Sequence, residues 1–448
     1  VLTPLQISRI CRGLNFETMT RPVFFFLILI VLGCSHYRNK EFVTLPTHGA
    51  IKLMKRNDSI PTVSLFPNKA EEYYLFTDLK DVSGFDGIVP NLEYEYIALD
   101  NSIGYIGEVK NILFIKDRII IHDGSVNDVA VFIFTMEGVG IKRIKAEGRG
   151  PSEFLGIAQI FTFPGADYFV VKDDKSSRFQ YFDLNGEYIK TEHTMLHISA
   201  CMPINDSVLV SGSSYRQNYH IEDLVEYSIY SGVKDSIIYK GLPYKHYQKT
   251  FWAVNSFFTN YRGDIQIRQH ASDSIYQILN DSTYFVPYVV KFDKSVQQKF
   301  ESMPVETNFD ELYWEYTTKS GYQDILSFLE NDNCIHYICG LGDGLRYGYL
   351  YDKQNNKTYK FSTVFPAHPI KLLYTGEAPV TIHENKFVAA IPGYKIFNGT
   401  KRNLVTYDEN GNIITEVPVE YDESVAHIVE NINENSNPVL MLYRFEFN

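Results

Sequence analysis

Few residues have the types and spacing that chemistry requires. His193 and His197 stand four apart, which on a helix would put two imidazoles on one face for a metal. Here they end a strand-like stretch and no third ligand follows at a defined spacing, so packed or solvated histidines are the expectation. Asp173-Asp174 and Asp343 fall at strand ends beside turns. Calcium would need a DxDxDG loop, which is missing, and aspartate beside a turn more simply caps backbone amides. Glu71-Glu72 and the scattered aspartates cannot be assigned as a glycosidase pair, because that pair is defined by its separation across a sugar. There is no GxSxG elbow, and no Cys-His-Asn order stands out. The GRGP run at Gly148–Pro151 could cradle a phosphate, but it lacks the Lys-Ser/Thr of a P-loop and no helix clearly follows it. It reads as a turn in which the glycines supply positive φ and Pro151 stiffens the exit. The sequence therefore predicts no catalytic residue, no metal and no cofactor.

The elements that would position any site repeat. Ile112 to Glu153 reads as strand, turn, strand, turn, strand and a Gly-Pro corner, and Phe161 to Thr194 is a weaker copy. Gly186 lies 48 residues after Gly138, Phe182 matches Phe134, and Asp123 and Asp173 each end an apolar run. A period in the range of about 40 to 50 residues built from short strands is the signature of propeller blades, which stack because one four-stranded blade cannot bury both faces alone. Ile119, Ile120 and Ile121 suit a sheet buried on both sides. Glu137–Val139 and Asn185–Glu187 read as hairpin turns with a glycine at positive φ, and Asn410-Gly411 within Leu404–Val417 repeats the second of them.

The expectation is an all-β chain folded as a six-bladed β-propeller over 93–448, with seven blades as the alternative count. After the first blade, blade two covers about Gly156–His197, blade three Ile198–Lys240, blade four Phe251–Lys291, blade five Tyr322–Phe361 and blade six Thr381–Pro418. The polar stretch Ser295–Ser320 is where a short helix or excursion fits. The tail Asn437–Phe447 is a further strand, and its pairing with an N-terminal strand would close the ring and remove open edges. Arg149, Glu153 and Arg178 are the candidates for facing an axial channel and binding a ligand.

A net charge of −12 argues against a nucleic-acid surface, which needs a basic patch. Residues 1–18 look unrelated to the rest. From Met19 the chain reads as a signal peptide over 19–33, with Arg21, the apolar run Val23–Gly33 and then Cys34, too short to span a bilayer comfortably. Residues 34–92 follow as a polar tether and lead-in. Of the remaining cysteines Cys201, Cys334 and Cys339, the last two are five apart and would face opposite sides of one strand, so a mutual disulfide is not expected.

Val31–Cys34 (VLGC) resembles the lipobox of bacterial lipoproteins, in which the cysteine is acylated, so Cys34 is the expected lipid attachment site. EYIALDNS at Glu95–Ser102 with IGEVKNILFIKDRIIIHD at Ile106–Asp123, the GRGPSEF corner at Gly148–Phe154, Ser272–Ile278 and the terminal NPVLMLYRF together resemble the six-bladed β-propeller lipoproteins of Bacteroidota, related in shape to NHL-repeat and TolB-like propellers. The resemblance covers about Glu93 to the C-terminus and is faint in blades three and five. It implies a propeller held at the cell envelope by a lipid anchor in a membrane, and it implies no reaction. Since no acidic run follows Cys34, the periplasmic face is favoured over the cell surface. The function expected is a binding or scaffold module for a glycan, a peptide or an envelope-protein partner. The alternative is a metal-dependent hydrolase or lactonase with its site in the axial channel.

Overall fold

A computed structural model describes residues 64–65, 73–76, 82–84 and 92–447, apart from 126–128, 146–147, 149, 151, 174, 194–199, 213–224, 232–235, 251–256, 279–282, 306, 341–345, 363–377, 401–403, 408–412 and 418–422. Three short strands, β1 (Ser64–Leu65), β2 (Tyr73–Phe76) and β3 (Val82–Gly84), precede β4 (Leu92–Ala98). Blade one is β5 (Val109–Ile115), β6 (Arg118–Asp123), β7 (Ala130–Thr135) and β8 (Gly140–Ile144). Blade two is β9 (Gln159–Phe161), β10 (Tyr168–Asp173), β11 (Arg178–Asp183) and β12 (Tyr188–His193). Blade three is β13 (Ala200–Asn205), β14 (Val208–Gly212), β15 (Val225–Ser231) and β16 (Ser236–Pro243). Blade four is β17 (Phe257–Tyr261), β18 (Asp264–Arg268), β19 (Ser274–Ile278) and β20 (Thr283–Lys291). Blade five is β21 (Asp324–Glu330), β22 (Cys334–Gly340), β23 (Arg346–Asp352) and β24 (Lys357–Ser362). Blade six joins β25 (Thr381–His383) and β26 (Lys386–Ile391) to the last strand, β29 (Val439–Phe445), which pairs in turn with β4.

The protein is a six-bladed β-propeller, and the count of seven is not needed. The tail does close the ring. Leu440 stands opposite Ile97 and Tyr443 opposite Tyr94, so one sheet holds strands from both ends of the propeller. Asn437 locks this closure: its Nδ2 donates to the carbonyls of Asp100 (2.6 Å) and Gly104 (2.8 Å), and its Oδ1 accepts from the amide of Ile106 (2.7 Å).

The β-branched runs form strands with two buried faces, and each face has its own neighbour. Ile119 and Ile121 pack with Val388, Leu440 and Leu442 of blade six, whereas Ile120 packs with Ile160, Phe169 and Val171 of blade two. All three isoleucines are wholly buried. The period-2 alternation of a strand thus sends successive side chains to opposite neighbours, at roughly 1.5–3 kcal/mol per buried side chain. The same arrangement recurs between every successive pair of blades.

The matched turns superpose as the repeat predicts. Gly138 donates to the Thr135 carbonyl and Gly186 to that of Asp183, with φ at 84° and 80°. A Cβ on Gly138 would lie 2.2 Å from the Ala98 oxygen, so a side chain there cannot be accommodated.

Blade six differs from the expectation. β27 (Leu404–Tyr407) and β28 (Ile413–Val417) form a separate two-stranded sheet, within an insertion that also carries α3 (Gly393–Thr400) and α4 (Glu423–Asn431). The closing strands β29 and β4 occupy the places that this hairpin would have taken. The polar excursion after blade four is helical: α1 (Val296–Glu301) and α2 (Phe309–Lys319) pack through Phe300, Phe309 and Tyr313 against Tyr247 and Ala271. The lead-in contributes strands too. β1 and β2 add in parallel to β20, and β3 adds to β24.

Candidate functional site

The first strand of each blade faces the propeller axis, where a channel of about 1110 Å³ opens. Its wall draws on β5, β9, β13, β17 and β25 and on Leu329 of β21. Antiparallel order gives the channel two ends. At the crossover end the chain passes from the fourth strand of one blade to the first of the next; at the hairpin end the first strand turns into the second. Leu113, Phe114, Phe161, Met202 and Phe258 make the wall apolar.

Among the described residues, three cations line the channel and no carboxylate does. Each cation nonetheless has a carboxylate beside it: Lys110 with Glu108 (2.5 Å), Lys116 with Asp167 (3.8 Å) and Arg262 with Asp332 (2.7 Å). Arg262 holds the Asp332 carboxyl below the usual carboxylate range. These pairs are exposed and of little worth to stability, but each carboxylate offsets the charge of its cation.

At the crossover end, Asn111 on β5 stands opposite His122 on β6, and both line the channel. His122 is 4% exposed. Among the described residues, neither of its ring nitrogens has a hydrogen-bond partner, nor has the buried Oδ1 of Asn111. Burial pushes the His122 imidazole down to about 4, so the ring is neutral near pH 7. A buried polar atom without a partner is rare in a native fold and calls for an explanation. Nothing in the sequence marked His122, because a histidine inside an apolar strand reads as a packed side chain.

The predicted site residues fall elsewhere. Arg149 lies outside the described residues, as does Cys34. Glu153 and Arg178 are not among the residues lining the channel; they build the corner. The Glu153 carboxylate accepts from the Gly150 amide (2.7 Å). Arg178, 6% exposed, donates to the carbonyls of Gly150 (3.3 Å) and Glu153 (3.0 Å) and to Ser176 Oγ (2.7 Å), and it pairs with Asp173 at 3.4 Å.

Asp173 caps a turn, as its position predicts. Its carboxylate accepts from the amides of Leu155, Lys175 and Ser176 and from the Ser176 hydroxyl. Its repeat partner Asp123 accepts from Gly107, Glu108 and Ser125. Asp174, Asp343 and His197 lie outside the described residues, and His193 is exposed on the outer strand β12. Cys334 faces the core shared with blade six and Cys339 the core shared with blade four, opposite sides as expected. Burial pushes the thiol of Cys201 up to about 12 and raises that of Cys334, so these two thiols are inert.

A second polar cluster, unmarked in the sequence, joins the helical excursion to blades four and five. His270 Nδ1 lies 3.2 Å from the Asp324 carboxylate, which also accepts from the Ala271 amide and the Tyr313 hydroxyl (3.1 Å each). Ser295 Oγ donates to Asp273 at 2.7 Å. Among the described residues, no group of three or more His, Cys, Asp or Glu side chains is placed to hold a metal ion. No described helix is long and apolar enough to cross a membrane.

Solved structures similar to this one include a Bacteroides fragilis protein described as exported, 14% identical with a TM-score of 0.66 over 84% of this chain and 99% of its own. Others are a member of the DUF4221 family from Bacteroides vulgatus (12% identical, TM-score 0.41, 80% and 99% covered) and an inactivated virginiamycin B lyase from Staphylococcus aureus (8% identical, TM-score 0.35, 78% and 99% covered). At these identities the first likeness establishes the fold alone. No curated protein sequence matches the chain. A family model does match, over residues 93–444 and therefore over most of the sequence, and the chain belongs to that family, described as a domain of unknown function, DUF4934.

Proposed function

We propose that the protein is an exported β-propeller, lipid-anchored through Cys34 in the cell envelope, that acts as a binding module with the axial channel as its binding site. The observation that carries the binding role is the channel itself: an open volume of about 1110 Å³ with apolar walls and polar groups at its ends. That composition is typical of ligand sites. Export and anchoring are supported by the VLGC sequence at Val31–Cys34 and by the export described for the Bacteroides fragilis neighbour. The periplasmic face and an envelope glycan, peptide or protein as partner belong to the same proposal.

Contact of Arg149, Glu153 or Arg178 with a ligand is a separate proposal. For Glu153 and Arg178 it would have to displace the hydrogen bonds that hold the corner. A metal-dependent hydrolase would need ligands converging on the axis, whereas the described residues lining the channel include no carboxylate.

The binding role is tested by plugging the channel. Ala200 lines the channel at its crossover end, and Ala200→Trp should abolish ligand binding while the melting temperature holds. Unchanged binding in that variant would remove the channel from the mechanism. Anchoring is tested by the mass of the membrane-extracted protein, which should carry acyl chains that Cys34→Ala lacks. Metal analysis with melts in EDTA addresses the hydrolase: a stoichiometric metal whose removal lowers the melting temperature would favour it.

A further inference from the structure

The unpartnered atoms at the crossover end specify the chemistry of what they bind. A neutral imidazole has one donor and one acceptor nitrogen, and an amide oxygen only accepts. The buried atoms of His122 and Asn111 thus present one donor and two acceptors, all without partners, on neighbouring strands of one blade, and the Asn111 amide nitrogen adds further donors. A deprotonated carboxylate or phosphate brings acceptors only, so it could accept from His122 and from the Asn111 amide nitrogen but would leave both buried acceptors unmet. An ammonium brings donors only and leaves the His122 donor unmet. A hydroxyl both donates and accepts, so two hydroxyls meet all three.

The surroundings agree. The cations Lys110, Lys116 and Arg262 each sit beside a carboxylate, which weakens their pull on an anion. The stem of Lys110 lies over Gly124, where a Cβ would come within 2.1 Å of its Cγ. Deeper in the wall, the partly buried rings of Phe114 and Phe258 add apolar surface.

We propose that the crossover end of the channel binds a neutral, hydroxyl-rich ligand of the saccharide class, with its hydroxyls hydrogen-bonded to His122 and Asn111. This rests on the reading of the channel as the binding site. Ordered water has the same donor and acceptor character and is the competing occupant.

The full chain is titrated calorimetrically with neutral hexose and N-acetylhexosamine oligosaccharides, with uronic-acid oligosaccharides of the same length, and with uncharged peptides. A neutral oligosaccharide should bind. His122→Leu and Asn111→Leu should each weaken it about tenfold, the effect of losing about 1.4 kcal/mol of hydrogen bonding. His122→Gln, which keeps a donor and an acceptor, should retain most of the affinity, and this separates a lost contact from a disturbed fold. Loss in Ala200→Trp with no change in His122→Leu and Asn111→Leu would overturn the hydroxyl assignment and leave the channel reading standing. No change in any variant would overturn both. Binding of only the uronic-acid probes or only the peptides would overturn the ligand class, and failure of every neutral oligosaccharide would leave water as the occupant and overturn the proposal.

Discussion

Arg178→Met tests whether the GRGPSEF corner is a structural clamp. The Asp173 carboxylate is fully buried and the Arg178 side chain 8% exposed. Removing the guanidinium leaves a buried carboxylate without its cation, a change that costs about 3–5 kcal/mol. Asp173 keeps the amides of Leu155, Lys175 and Ser176 and the Ser176 hydroxyl, which place the charge cost at the lower end of that range. The carbonyls of Gly150 and Glu153 each lose a donor, although Gln180 still donates to Glu153 at 2.7 Å; this adds about 1 kcal/mol. The expected loss is therefore about 4 kcal/mol, or roughly 8 °C in melting temperature at about 2 °C per kcal/mol for a domain of this size. Urea denaturation of wild type, Arg178→Met, Asp173→Asn and the double variant measures it, and the double variant should fall short of additivity by more than about 1 kcal/mol. A loss below about 1 kcal/mol, or full additivity, would refute the clamp. A lost ligand with unchanged stability would instead return Arg178 to a binding role.

Three further outcomes follow from buried polar groups. Asn437→Ala removes three hydrogen bonds at the ring closure and should cost about 3 kcal/mol, read by urea denaturation; a loss under about 1 kcal/mol would show that the closing strands hold without it. Burial, with Asp324 and Glu301 nearby and Ser295 and Lys245 opposing, raises the Asp273 carboxyl to about 7. The folded state keeps its proton where the unfolded chain has lost it, so the Asp273 contribution, up to about 4 kcal/mol, is present below about pH 4 and lost as pH rises to about 7. Asp273→Asn should remove that decline from stability–pH curves, and an unchanged slope would refute it. His336, 1% exposed, is pushed down to about 3 by burial and acts with the opposite sign. Its contribution is present above about pH 6.5 and lost as pH falls towards 3, so His336→Leu should flatten the acid limb in the same measurement, and a limb as steep as wild type would exclude His336 as a source.

Features that depend on near neighbours in the chain were legible before any fold was known. The run Ile119–Ile121 announced a strand buried on both faces because strand alternation is local, and the structure sends those side chains to two neighbours. The turns at Gly138 and Gly186, the capping by Asp173 and the opposed faces of Cys334 and Cys339 were legible for the same reason. Tertiary structure decided everything that depends on closing the ring. The hairpin Leu404–Val417 carries a blade-like pattern but stands outside blade six, because β29 and β4, far apart in sequence, complete that sheet. Arg178 looked free to face the axis, yet the corner carbonyls and Asp173 fold around it. His122 and Asn111 are unremarkable in the chain. They become a candidate site only when strand pairing sets them opposite each other at a channel that six blades must assemble to create, since hydrogen-bond vacancy is a property of the packed surroundings and not of a residue's type.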